Sequence, residues 1–261
     1  MQAIENARVL AFAWEQVFMH PSLAHTEHRP WHLPRGPWLW RMRWERLAFI
    51  HHRIDAAVLR PRIPPDLTID EFDGSAWLGV VPFQMTDMML RGLPSVPPWR
   101  RFPELNLRTY VVRDGCPGVW FFNLDAACWP LVVAGRGLYG FPYFRALMRL
   151  EETANGGMLT SRRPDGRAAF RATYSSRGEV FLARPGTFEH WATERYRVYS
   201  QHRGRTLATD VHHRPWPLQQ AKVAIEENGL FEASGLTVAD ASPICHYTIG
   251  VEVIAFAKAS G

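Results

Sequence analysis

Lysine is nearly missing from this 261-residue chain: of its 30 basic residues only Lys222 and Lys258 are lysines, and the rest are arginines. Chemistry that needs an amine nucleophile is therefore confined to two positions, one in an amphipathic stretch and one three residues from the end. Cysteine is also sparse. Cys116, Cys128 and Cys245 are odd in number and fit neither a zinc-ribbon nor a redox-pair spacing, so reduced thiols are the expected state. The net charge is +5 and the pI near 9.4, but no run of five or six like charges concentrates that excess, so no nucleic-acid partner is expected. No apolar stretch approaches the roughly 20 residues that cross a bilayer. Residues 7–18 are interrupted by Arg8 and Glu15 and lack the basic start and small-residue cleavage site of a signal peptide. These absences predict a cytoplasmic protein with no membrane partner. No serine-hydrolase elbow and no phosphate-cradling motif is present either.

What the chain does have is apolar and aromatic bulk. At 47% hydrophobic, with 11 Trp, 7 Tyr, 15 Phe and 20 Pro, it can bury a large core, and the prolines argue against a long helical bundle. Strands are expected over residues 39–52, 77–83, 105–112, 118–124, 144–150, 157–161, 168–174, 195–199, 206–212 and 247–256, separated by Gly, Pro or Asn signals. Helices are expected over residues 4–18, 187–193 and 218–226. A further helix over 131–138 would enter a turn at Gly140, and a short one capped by Asp55 would end at Pro61 and Pro64. The fold class is mainly β (α+β). The expected architecture is a closed, largely antiparallel β-barrel with peripheral helices, a form that removes sheet edges and can hold one small ligand. Residues 1–38 are read as an N-terminal helix and connector packing on the barrel, and 39–261 as the barrel itself, one domain in all.

Residues 135–145 read Gly-Arg-Gly-Leu-Tyr-Gly-Phe-Pro-Tyr-Phe-Arg. This segment resembles the active-site signature of acetoacetate decarboxylase, in which glycine, arginine and an acidic residue lead through an aromatic-proline pair to two lysines. Tyr143 and Phe144 stand where those lysines would be. A Schiff base needs an amine of lowered pKa, the role for which acetoacetate decarboxylase is the standard example; a phenol cannot supply it. Glu104, ahead of the run Leu105-Asn106-Leu107-Arg108-Thr109-Tyr110-Val111, resembles an active-site glutamate of the same enzyme. The phrases from Phe72 to Phe83, Pro117 to Ala126, Thr193 to Tyr196 and His213 to Leu218 together resemble the YqjF-like family of uncharacterised bacterial proteins within the acetoacetate-decarboxylase-like superfamily. The resemblance implies that fold, and a pocket retained without its nucleophile.

The candidate catalytic residues are Tyr143, Glu104 and Arg136, and the candidate ligand-binding residues are Arg108, Asn106, Phe141, Trp77 and Tyr110. Arg136 and Glu104 form either a buried structural pair or a ligand-contacting one, since a charge inside a barrel needs a partner. Glu104, Asn106, Arg108 and Tyr110 alternate with Leu105, Leu107 and Thr109 and share one strand face, either solvated or turned to a cavity. Tyr143 is either core or a hydrogen-bond donor to a carbonyl or carboxylate oxygen. The adjacent pairs His51-His52 and His212-His213 point to opposite strand faces, which works against a shared metal ion, although His52 or His213 remains open as a general base. No metal and no cofactor is expected. The expected partners are a small organic ligand bearing a carbonyl or carboxylate and, beyond it, a homo-oligomer. Whether the cavity turns its ligand over or serves as a non-catalytic binding, sensing or assembly module is left open.

Overall fold

The computed structural model of the chain describes residues 20–238 and 242–260; the helix expected over residues 4–18 lies outside them. The strands are β1 (Trp38–Ile54), β2 (Thr68–Ile69), β3 (Ala76–Leu90), β4 (Arg101–Arg113), β5 (Cys116–Ala126), β6 (Tyr143–Arg145) and β7 (Leu147–Thr153). They continue as β8 (Gly156–Arg162), β9 (Ala169–Phe181), β10 (Arg197–His202), β11 (Arg205–His213), β12 (Leu218–Asn228), β13 (Ile244–Phe256) and β14 (Ala259–Ser260). The fold is mainly β.

One sheet joins them in the order β14-β11-β10-β5-β4-β3-β1-β13-β12-β9-β8-β7, and β11 pairs β13 as well. The pairings that leave β11 through β10, β5, β4, β3, β1 and β13 thus return to β11, while β12, β9, β8 and β7 branch from β13. Pairing is antiparallel except where β5 meets β10 and β6.

Two large apolar cores pack against this sheet, beside a small cluster of Trp38, Ile254 and Phe256. One gathers Met42, Phe49, Phe83, Tyr143 and Trp216, the other Ile50, Leu78, Leu105, Leu107 and Phe170. β4 separates them: Leu105, Leu107 and Val111 belong to the second core, while Phe102 and Tyr110 belong to the first. A strand buried on both faces carries no solvated side, so the exposed alternative for Glu104, Asn106, Arg108 and Tyr110 does not hold; all four are buried.

Local chemistry explains most boundaries. The Asp55 carboxylate accepts from the Ala57 amide at 2.8 Å and caps the helix Ala56–Leu59, and the Thr187 hydroxyl caps Phe188–Thr193. The helix expected over residues 218–226 is instead strand β12. Gln, Ala, Lys and Glu favour helix intrinsically, but Ala221, Val223 and Ile225 alternate with exposed Gln220, Lys222 and Ala224, and pairing with β9 and β13 overrides the propensity. The strand expected over residues 144–150 is two strands, β6 and β7, parted at Ala146. Among the described residues of the connector, Arg29 donates to the Val211 carbonyl at 2.7 Å and His28 to that of His213 at 2.9 Å, fixing it along β11.

Candidate functional site

Alternation along β4 sends Glu104, Asn106 and Arg108 to one side, and all three line a single cavity that offers about 150 Å³ to the centres of water-sized molecules. Its walls are mostly apolar, with aromatic and thioether side chains such as Trp44, Phe83, Trp216, Met42 and Met85 among them. Polar groups in such a setting are few, and each is shaped by its neighbours.

Glu104 lies between Phe83 of β3 and Ala126 of β5 and is 3% exposed. No cation stands within ion-pair distance of it among the described residues. Burial pushes its carboxyl pKa up to about 8, a hydrogen bond from Tyr143 opposes the rise, and the charge of Asp125 adds to it. Near neutral pH the side chain is therefore mainly a neutral acid, able to donate as well as accept.

Tyr143 reaches Glu104 through the Gly-rich turn. The helix Trp129–Ala134 widens into a π-helical turn, Gly135–Tyr139, which Gly140 ends in the left-handed region at φ 67°. β6 then runs parallel to β5, setting Tyr143 beside Leu124. The Tyr143 hydroxyl donates to Glu104 Oε2 at 3.2 Å. Gly135 makes room for the ring: a Cβ there would sit 2.4 Å from Tyr143 Cδ2. Burial, and then the neighbouring Glu104, hold the phenol pKa well above its ordinary value. Burial likewise raises the thiol pKa of Cys128 in the same cluster.

Arg108 sits on the same strand face, four residues from Glu104. It makes no ion pair among the described residues; its Nη2 donates to the Ala192 carbonyl at 3.4 Å, and its Nε has no partner. Its guanidinium carbon lies 5.3 Å from the Phe49 ring centroid. Gly79 faces it across the β3–β4 pair, and a Cβ there would be 3.4 Å from Arg108 Cγ and Nε, so the glycine gives the side chain its path. Asn106, between the two, has an unpartnered Oδ1.

Among the other polar groups lining the cavity, Arg195 and His213 were not among the candidates drawn from sequence as ligand contacts. Arg195 follows the helix Phe188–Thr193, and its Nη1 pairs with Asp70 Oδ2 at 2.6 Å. His213 packs its ring 4.9 Å from that of Trp216, with Nδ1 2.7 Å from the Arg214 carbonyl, and burial lowers its pKa to about 4. The sequence signals were the Thr-Glu-Arg-Tyr run and the His-His pair, but nothing in the spacing says which member of either faces inward.

Three expectations are corrected. Arg136 is exposed and does not pair with Glu104, because the wide turn that packs Gly135 on Tyr143 carries the next residue outward. Trp77 is buried but outside the cavity lining; its indole donates to the Phe72 carbonyl at 3.1 Å and packs 4.4 Å from Phe188. Tyr110 is buried outside this cavity's lining, its hydroxyl 2.6 Å from His51 Nε2 and its ring centroid 5.7 Å from the Arg108 guanidinium carbon. Phe141, Asn106, Arg108, Glu104 and Tyr143 do come together. Against the sequence reading that no phosphate-cradling motif is present, Gly135, Gly137 and Gly140 do carry the dinucleotide-loop spacing, but the segment runs from helix to strand rather than strand to helix, which is the wrong context for that motif. Among the described residues no group of three or more His, Cys, Asp or Glu could hold a metal ion, and no helix is long and apolar enough to cross a membrane.

Residues 41–252 match the family DUF2071, described as "Uncharacterized conserved protein". The chain is 38% identical over 223 residues to "Uncharacterized protein YqjF" of Bacillus subtilis (strain 168), an alignment covering 85% of this chain and 92% of that protein. The chain belongs to this family. Among solved structures it is similar to acetoacetate decarboxylase from Legionella pneumophila, with TM-score 0.58 at 15% identity, covering 89% of this chain and 92% of that one. An acetoacetate decarboxylase-like enzyme from Sphingomonas wittichii RW1 gives 0.62 at 13%, covering 86% and 94%. The enduracididine biosynthesis enzyme MppR complexed with pyruvate gives 0.61 at 13%, covering 89% and 93%. The fold is that of the acetoacetate-decarboxylase-like proteins.

Proposed function

We propose that this DUF2071 member holds a small carbonyl- or carboxylate-bearing organic molecule inside a closed β-barrel and acts on it through acid-base chemistry rather than an imine. The circuit of pairings from β11 back to β11 supports closure of the barrel around the cavity. One observation carries the reading: a neutral-tending buried acid, Glu104, hydrogen-bonded to Tyr143, shares its strand face and its cavity with the unpaired cation of Arg108. In this reading the protonated Glu104, held by the Tyr143 hydroxyl, donates to a carbonyl oxygen, polarising it or stabilising an enolate as charge develops, and Arg108 with Asn106 binds the acidic end. MppR, a fold relative, is a pyruvate complex, which accords with such a ligand.

The absence of a Schiff-base lysine is part of the same proposal. Lys222 is exposed on β12 and Lys258 lies over the Tyr139 ring, donating to the Leu138 carbonyl; neither lines the cavity. A non-catalytic binding or sensing role is the second reading, favoured by the raised pKa of the Cys128 thiol, which leaves the cluster without an activated nucleophile.

Turnover separates the two. A screen of β-keto acids and related enol and lactone substrates should give activity that both Tyr143→Phe and Glu104→Gln reduce. Activity indifferent to both changes removes the acid-base role. Borohydride reduction with acetoacetate present should leave both lysines unmodified, and an adduct on either one overturns the exclusion of an imine.

A further inference from the structure

Arg108 and Arg195 both line the cavity and gather at one ring, their guanidinium carbons 5.7 Å and 5.0 Å from the Tyr110 centroid, and the buried His51 meets the hydroxyl of that ring at 2.6 Å. Asp70 is bound to Arg195, and no carboxylate pairs with Arg108 among the described residues. The site thus carries a surplus positive charge in an apolar enclosure, with Arg108 Nε and Asn106 Oδ1 unpartnered. A buried guanidinium without an anion is costly, so this end is built for one. The other polar end, Glu104 with Tyr143, has no charge to offer it. Glu104 and Arg108 stand four positions apart, about 13 Å along an extended strand. Between and around them the walls are Trp44, Phe83, Trp216, Met42 and Met85, which reward apolar contact and give water few partners.

Resting on the function proposed above, we infer that the ligand is an amphipathic keto acid whose carbonyl lies several bonds from its carboxylate. The carboxylate meets Arg108, an alkyl or aryl body fills the aromatic walls, and the ketone oxygen accepts from Glu104. Short acids such as pyruvate or acetoacetate satisfy one end at a time and leave the walls unfilled.

The test compares four probes by isothermal titration near neutral pH: γ-benzoylbutyrate, its methyl ester, acetoacetate and pyruvate. The aryl keto acid is expected to bind at least about tenfold more tightly than each of the others, and Arg108→Gln should erase the preference for acid over ester. Equal binding of acid and ester, or of the aryl acid and acetoacetate, overturns this inference and leaves the wider reading standing. Silence from all four probes removes both. The acid-ester comparison needs only the wild-type chain, so the outcome does not depend on whether the variant folds.

Discussion

Tyr143 and Glu104 are bonded across two segments that lie 39 residues apart, the phenol donating to the carboxyl at 3.2 Å where no cation intervenes. This bond stabilises the ionised form of a group that burial drives the other way, so the pair sets the proton affinity of the cavity.

Glu104 predicts a pH dependence of stability. Its folded pKa of about 8 lies above its ordinary 4.5, so the folded state holds the proton more tightly, and the contribution is complete below 4.5 and lost as pH rises to about 8. The stability of the wild type relative to Glu104→Gln, read from urea unfolding, should fall across that window by on the order of a few kcal/mol in all. A slope identical in both proteins removes the assignment.

Tyr143→Phe deletes the one bond that favours ionised Glu104, so the Glu104 pKa should rise further. Carboxyl carbon NMR titration reads the shift directly. The hydroxyl's loss should also cost about 1 kcal/mol of stability, the ordinary worth of one such bond.

Histidine gives the opposite slope. Burial lowers the pKa of both His212 and His213 to about 4, below the ordinary 6.5, so their neutral forms support the fold above 6.5 and that support is lost as pH falls towards 4. Replacing His213 with Gln should reduce acid sensitivity between those limits while leaving the alkaline decline due to Glu104 in place.

The buried end of the cavity depends on Asp70. Asp70→Asn leaves Arg195 without its carboxylate while its side chain stays 4% exposed. Equilibrium unfolding should show a loss of about 3–5 kcal/mol, as for other broken buried pairs.

Glycine spacing offers a positional control. Gly135→Ala would put a methyl 2.4 Å from the Tyr143 ring, whereas Gly137→Ala meets nothing within 4 Å. The first should destabilise by about 1–3 kcal/mol and disturb the Glu104 titration; the second should do neither. Matching melting curves for the two variants contradict the packing described here.

Much of this arrangement was legible in residue order. Period-two alternation placed Glu104, Asn106 and Arg108 on one face of β4, and Gly140 marked the turn that presents Tyr143. Arg136 was misplaced because sequence reveals a turn but not its width, and the π-helical turn rotates that residue outward. β12 read as helix because its composition favours one while its partners, β9 and β13, are decided far along the chain. Arg195 escaped notice as a cavity residue because its ion pair with Asp70 spans 125 positions, beyond any local pattern.

β4 behaves as a partition wall whose two sides obey different rules. Inserting or deleting one residue near its start would turn Leu105 and Leu107 into the chamber and drive a carboxyl, an amide and a guanidinium into hydrocarbon. Drift in ligand preference is therefore confined to even-numbered replacements along this strand, while odd-numbered ones are policed by folding itself.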